Sequence, residues 1–169
     1  MKKFLLLVAA LCLSLTIATP GFSLTIDGGP HDGIDPGDID TFLVSTDTLK
    51  NSSEGTETDW VNSELGGSNL FQIKDDPVEY YPTDDDNVYA FFMSTDYVSD
   101  YFIVKNARYW ALFENLSLFE YGVFDARDLP EEMNLPSEGY QISHVTRFGG
   151  SGGGGGGTPV PEPATMLLL

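Results

Sequence analysis

Between residues 41 and 148 the chain is cut into short apolar bursts, rich in aromatic and β-branched residues and separated by turn formers. That texture admits few folds, because such runs fit a pleated, half-buried surface and are too short for helices. The bursts read as strands are TFLVS from Thr41, NLFQIK from Asn69, NVYAFFMS from Asn87, DYFIVKN from Asp100, RYWALFE from Arg108, LSLFEYGVF from Leu116 and YQISHVTRF from Tyr140. In the last of these, Ile142 and His144 fall on the face opposite Gln141, Ser143 and Val145, an imperfect alternation that an edge or corner strand tolerates. No window of eleven or more residues repeats apolar positions at three- and four-residue spacing. The nearest, ARDLPEEMN from Ala126, is interrupted by Pro130. The expectation is an all-β body over residues 41–148, a single antiparallel β-sandwich of jelly-roll type. A body of this length holds one core and is too short for several propeller blades.

The flanks have a different character. Lys2 and Lys3, an apolar run over residues 4–17, and then Pro20, Gly21 and Ser23 follow the order of a secretory signal peptide. Residues 1–23 are expected to be removed by a cut between Ser23 and Leu24, since the apolar run falls short of the roughly 20 residues that span a bilayer. The one cysteine, Cys12, lies inside this leader and follows Leu11 instead of the small residues that lipid attachment wants. The exported chain is therefore expected to carry no disulfide and no cysteine metal ligand. Residues 24–40, with DGGPHDGIDPGDID from Asp27, are dominated by turn formers that bury little apolar surface, and read as a flexible arm. Residues 149–158 begin with GGSGGGGGG, a run with nothing to pack. It reads as a disordered tether with a reach of roughly 15–20 Å.

Charge narrows the partners. Without Lys2 and Lys3, six basic side chains face 26 acidic ones, and no basic cluster stands anywhere after the leader. Nucleic acid is excluded as a partner, because phosphate is held mainly by basic groups. Asp84, Asp85 and Asp86, with Asn87, and the arm acids Asp32, Asp35, Asp38 and Asp40 offer the hard oxygens that calcium takes. Neither group has the order of the twelve-residue calcium loop, so a solvated acidic turn is the simpler reading, with no cofactor expected. His31 and His144 are the only histidines, and no glycine-framed serine accompanies either, which argues against a nucleophilic enzyme. Paired carboxylates of the glycoside-hydrolase kind are formally available among so many acids, but nothing in the spacing selects a pair. Most of the dense aromatic residues, Trp110 among them, are expected in the core. Tyr80, Tyr81 and Tyr97 are the candidates for stacking on a sugar in an alternative reading, a carbohydrate- or calcium-binding module.

After the tether comes TPVPEPATMLLL, residues 158–169. Pro161 and Pro163 hold the backbone near polyproline geometry and withhold amide donors, so this segment stays extended and legible to a receptor. Val160, Pro161, Glu162, Pro163, Ala164 and Thr165, followed by Met166 and three leucines, resemble the sorting signal of the PEP-CTERM family of exported bacterial proteins. The resemblance implies a non-enzymatic protein of the cell envelope, outer surface or extracellular matrix, in a setting of extracellular polysaccharide or biofilm. Its implied partners are the secretion machinery and an exosortase-type membrane protease that handles residues 159–169. In the family an apolar membrane helix and a basic cluster follow the tripeptide, whereas six residues follow Pro163 here. The signal therefore reads as truncated, with transient membrane association expected only where that helix exists.

Overall fold

The computed structural model of the protein describes residues 23–93, 99–116, 120–133 and 142–149. In chain order its elements are β1 (Thr41–Thr46), α1 (Glu54–Leu65), β2 (Leu70–Asp75), β3 (Tyr80–Pro82), β4 (Val88–Phe92), β5 (Tyr101–Lys105), β6 (Trp110–Glu114), β7 (Tyr121–Asp125) and β8 (His144–Gly149). The strands form a five-stranded sheet in the order β1-β6-β5-β8-β2 and a three-stranded sheet in the order β3-β4-β7. Every named pairing in both is antiparallel, and among the described residues no barrel closes.

The two sheets pack face to face, as the period-two pattern of their strands requires. Phe91 and Phe124 of the small sheet meet Phe102, Val104, Phe113 and Val145 of the large one. Phe91 stands edge-on to Phe102 at 5.2 Å between ring centroids, and Phe102 stacks on Phe113 at 5.1 Å. Each sheet is covered on its other face as well. Helix α1 lays Trp60 and Val61 on Ile103, Trp110, Leu112 and Phe148 of the large sheet. On the small sheet, Ile26, with Leu24 and Ile39, covers Val88, Ala90, Tyr121 and Val123. This double burial explains why all six residues of β8 are buried and why its alternation looked imperfect: His144, Thr146 and Phe148 face the helix, and Val145 faces the other sheet.

Three expectations are corrected. The helix was not foreseen. Ser53 caps it, accepting from the Thr56 N–H at 3.3 Å, and Gly66 ends it at φ 64°, donating its N–H to the Asn62 carbonyl at 3.0 Å. Second, residues 24–40 bury more than their composition suggested: Ile26 is 1% exposed and Asp40 is 2% exposed. The segment closes on itself through Ile26 N–H to the Ile34 carbonyl and Gly33 N–H to the Ile26 carbonyl, both at 2.9 Å. Gly29, at φ 72°, lets it pass against Tyr81 where a Cβ would collide with the ring. Third, β4, β5, β6, β7 and β8 are shorter than the bursts that announced them, the last two most of all. Of LSLFEYGVF only residues 121–124 are strand among the described residues, with Asp125 extending it, and Ile142 and Ser143 precede β8. The short strand β3, with Pro82 at its end, was also missed. ARDLPEEMN forms two 3-10 turns, Ala126–Asp128 and Glu131–Met133, on either side of Pro130.

Candidate functional site

Three places in the body concentrate polar or aromatic chemistry. The first lies between α1 and the large sheet. Glu57, one turn into the helix, is fully buried, yet both of its oxygens are fully used. Oε1 accepts from Trp110 Nε1 and His144 Nε2, each at 2.9 Å; Oε2 accepts from Thr146 Oγ1 at 2.7 Å and lies 2.9 Å from Lys74 Nζ. Because a carboxylate only accepts, the His144 proton on this side must sit on Nε2. Burial alone would raise the Glu57 carboxyl, but the hydrogen bonds from His144, Lys74, Thr146 and Trp110 outweigh it and hold the group at about 2. Lys105 completes the cluster, donating to the Asn106 carbonyl at 2.5 Å with Nζ 4.5 Å from the Trp110 ring centre. Burial pushes Lys105 below its ordinary value, against the pull of Glu57. With three strands, β2, β6 and β8, contributing to one helical carboxylate, the arrangement holds α1 in register. The node is buried apart from Lys74, whose side chain is 21% exposed.

Beside this node, Ser143 Oγ lies 3.5 Å from His144 Nδ1, at the outer limit of a hydrogen bond between chain neighbours. His144, the strand histidine of the sequence, is thus a structural partner of Glu57.

The second place is on the outer face of the small sheet. His31 stacks on Phe92, with ring centroids 5.3 Å apart and planes 21° apart, and touches Tyr81 at 5.1 Å and Tyr121 at 5.5 Å. The Tyr121 hydroxyl and His31 Nδ1 are 2.6 Å apart. Phe92 is 43% exposed, a large apolar ring held in one orientation at the surface. Glu79 stands at its rim and accepts from the Tyr81 hydroxyl at 2.9 Å. Of the tyrosines expected to stack on a sugar, Tyr81 is here, whereas Tyr80 turns to the inter-sheet core, edge-on to Tyr89. Tyr97 lies outside the described residues. The cluster was missed because His31, in a glycine-rich stretch, and Phe92, in a strand, have no sequence relation to each other.

The third place is a cavity of about 670 Å³ where residues 23–39 cross the turn after β3, lined by Ser23, Leu24, Asp35, Asp38, Ile39 and Asp84 among others. The expected cleavage pair is therefore part of its wall. Asp84, Asp85 and Asp86 are exposed on this turn: Asp84 Oδ1 accepts from the Thr25 N–H at 2.8 Å, and Asp85 lies 3.8 Å from the Arg127 guanidinium. Among the described residues no group of three or more His, Cys, Asp or Glu side chains is arranged to hold a metal ion. Asp40, another calcium candidate, is a staple between the sheets. Its Oδ2 accepts from Val123 N–H at 2.7 Å and its Oδ1 from Leu116 N–H at 2.8 Å. The sorting residues Val160, Pro161, Glu162, Pro163, Ala164 and Thr165 lie outside the described residues, as do residues 1–22. No protein-family model, curated protein or solved structure matches the chain.

Proposed function

We propose that this chain is an exported, non-enzymatic protein of the bacterial cell envelope or extracellular matrix, sorted through its Pro161-Glu162-Pro163 segment. The leader, residues 1–23, directs export, and an exosortase-type membrane protease reads the tail. The observation that carries the reading is the run Val160 to Thr165 placed after a glycine tether and in the same chain as a secretory leader. The body supports it in a second way. Strand β8 ends at Gly149, where the glycine run that leads to the tag begins. A non-enzymatic body is consistent with both histidines being engaged, His31 with Tyr121 and His144 with Glu57.

The test replaces Pro161, Glu162 and Pro163 by alanine in a host that possesses the protease, and follows both location and tail mass. The native chain is expected in the envelope or medium with its tail processed, and the variant with its tail intact. Identical location and tail mass in the two would overturn the sorting reading, as would recovery of the native chain in the cytosol with Met1 in place.

A second reading is favoured by one observation, the exposed Phe92 ring braced by His31 and Tyr121. A flat aromatic face with the Glu79 carboxylate at its rim suits a sugar ring, whose C–H face stacks while its hydroxyls donate. On this reading the body binds a neutral polysaccharide of the matrix. A glycan array, run with and without calcium, should show a signal that Phe92→Ala lowers at least tenfold while leaving the melting temperature unchanged. A flat array for the native protein in both conditions removes the carbohydrate reading.

A further inference from the structure

The residues just after the expected cut are sewn into the fold. Thr25 N–H donates to Asp84 Oδ1 at 2.8 Å, Asp84 N–H returns a bond to the Thr25 carbonyl at 2.9 Å, and Asp27 N–H reaches the Pro82 carbonyl at 2.9 Å. Ile26 bridges Thr83, and Leu24 packs against the apolar cluster on the outer sheet face. The Ser23–Leu24 bond is thereby placed on the wall of the 670 Å³ cavity. One donor from the leader side already enters it: the Ser23 hydroxyl donates to Asp35 Oδ2 at 2.5 Å, while Gly37 N–H holds Asp35 Oδ1 at 2.9 Å. These two bonds, the serine's first, hold the Asp35 carboxyl below its ordinary range, so it is ionised at neutral pH.

Hydrolysis of the Ser23–Leu24 bond consumes one water. Ser23 departs with a new carboxylate, and the Leu24 nitrogen takes a proton to become an ammonium with three N–H donors. Two changes then coincide at one place: Asp35 loses the hydroxyl that served it, and a cation appears on the same wall. The titratable groups around that wall are Asp35 and Asp38 from the N-terminal segment and Asp84 and Asp85 from the turn, with Arg127 beside Asp85. A cation fixed between the partners of Ser23 and Thr25 stands beside Asp35 and Asp84, whose charges favour it.

We propose that this cavity is the seat of the mature N-terminus, in which the Leu24 ammonium made by leader removal pairs with Asp35 and Asp84 and locks residues 24–40 over the outer sheet. Processing is then a folding step as well as an export step. The inference rests on cleavage after Ser23, and its test separates the two. N-terminal sequencing of the exported protein must first return Leu24-Thr25-Ile26; another start refutes the cleavage assignment and the seat together. Given that start, the α-amino group is titrated by amine-selective acylation against pH in the native protein, in the urea-unfolded chain and in Asp35→Asn/Asp84→Asn. The native amine should titrate about one unit above the usual range of roughly 7.7–8.0, and react about tenfold more slowly at pH 7 than in the unfolded chain. The double variant should return it to the ordinary value. A chain that retains Ser23 as its first residue should melt at a lower temperature, because its ammonium is displaced by one residue. An amine that titrates alike in native and unfolded protein overturns the seat even if the double variant fails to fold.

Discussion

Glu57 decides how the helix meets the sheet, and it does so by a choice that hydrophobic reasoning alone does not anticipate. A carboxylate with no exposure survives only when every lone pair is met, and here indole, imidazole, hydroxyl and ammonium donors meet all of them. Its pH signature has a definite sign. The folded-state value of about 2 lies below the ordinary 4.5, so the stability it contributes is fully present above pH 4.5 and is lost as pH falls toward 2. Glu57→Gln keeps the shape and removes the charge. In urea unfolding it should cost about 3 kcal/mol near pH 6, and the gap to the native protein should shrink steadily between pH 4.5 and 2, where the native side chain is itself protonated. A gap of constant size across that window would show that the charge contributes nothing. None of this was legible from the sequence, in which Glu57 is one of 26 acids and His144, Thr146 and Lys74 stand far from it.

At the level of elements the helix shows why a pattern escaped. Glu57, Trp60 and Val61 are its buried residues, with Leu65 packed beside them. This is the three-and-four spacing of a helical stripe, hidden because its first position is charged. The caps were the available signal, Ser53 at one end and Gly66-Gly67 at the other, with the 12 residues of the helix between them. The strands were legible because burial on one or both faces leaves β-branched and aromatic runs whatever the neighbours are. Their pairing was not, since partners are set by three-dimensional fit. Gly122 illustrates such fit: it pairs with Phe91 across β4 and β7, and a Cβ there would overlap the Phe91 ring, which has no exposure and leans on Phe102. Gly122→Ala should therefore cost about 1–3 kcal/mol. Gly55→Ala, in the first turn of α1 with open space around its Cβ position, should instead gain about 0.5–1 kcal/mol, and thermal melts of the two variants should move in opposite directions.

Taken as a whole, the molecule is a sandwich clothed on both outer faces, by a helix on one and by residues 24–40 on the other. The sandwich followed from burst length and spacing. The clothing did not, because both covers are polar in composition and touch the sheets through a few side chains, Trp60 and Val61 on one, Ile26 and Ile39 on the other. Of the candidate sites, the acids were visible as residues, but only the chain path shows that Asp40 staples sheets while Asp35 and Asp84 border a cavity. The strand order has its own consequence for assembly. Strand β8, last to be synthesised, lies inside the large sheet between β5 and β2. Until it arrives, β2 has no partner in that sheet and β5 has one side unpaired. A ribosome or a translocation channel that still holds residues 144–149 thus leaves a gap in the sheet, and the keystone drops in only when the whole body has cleared the exit.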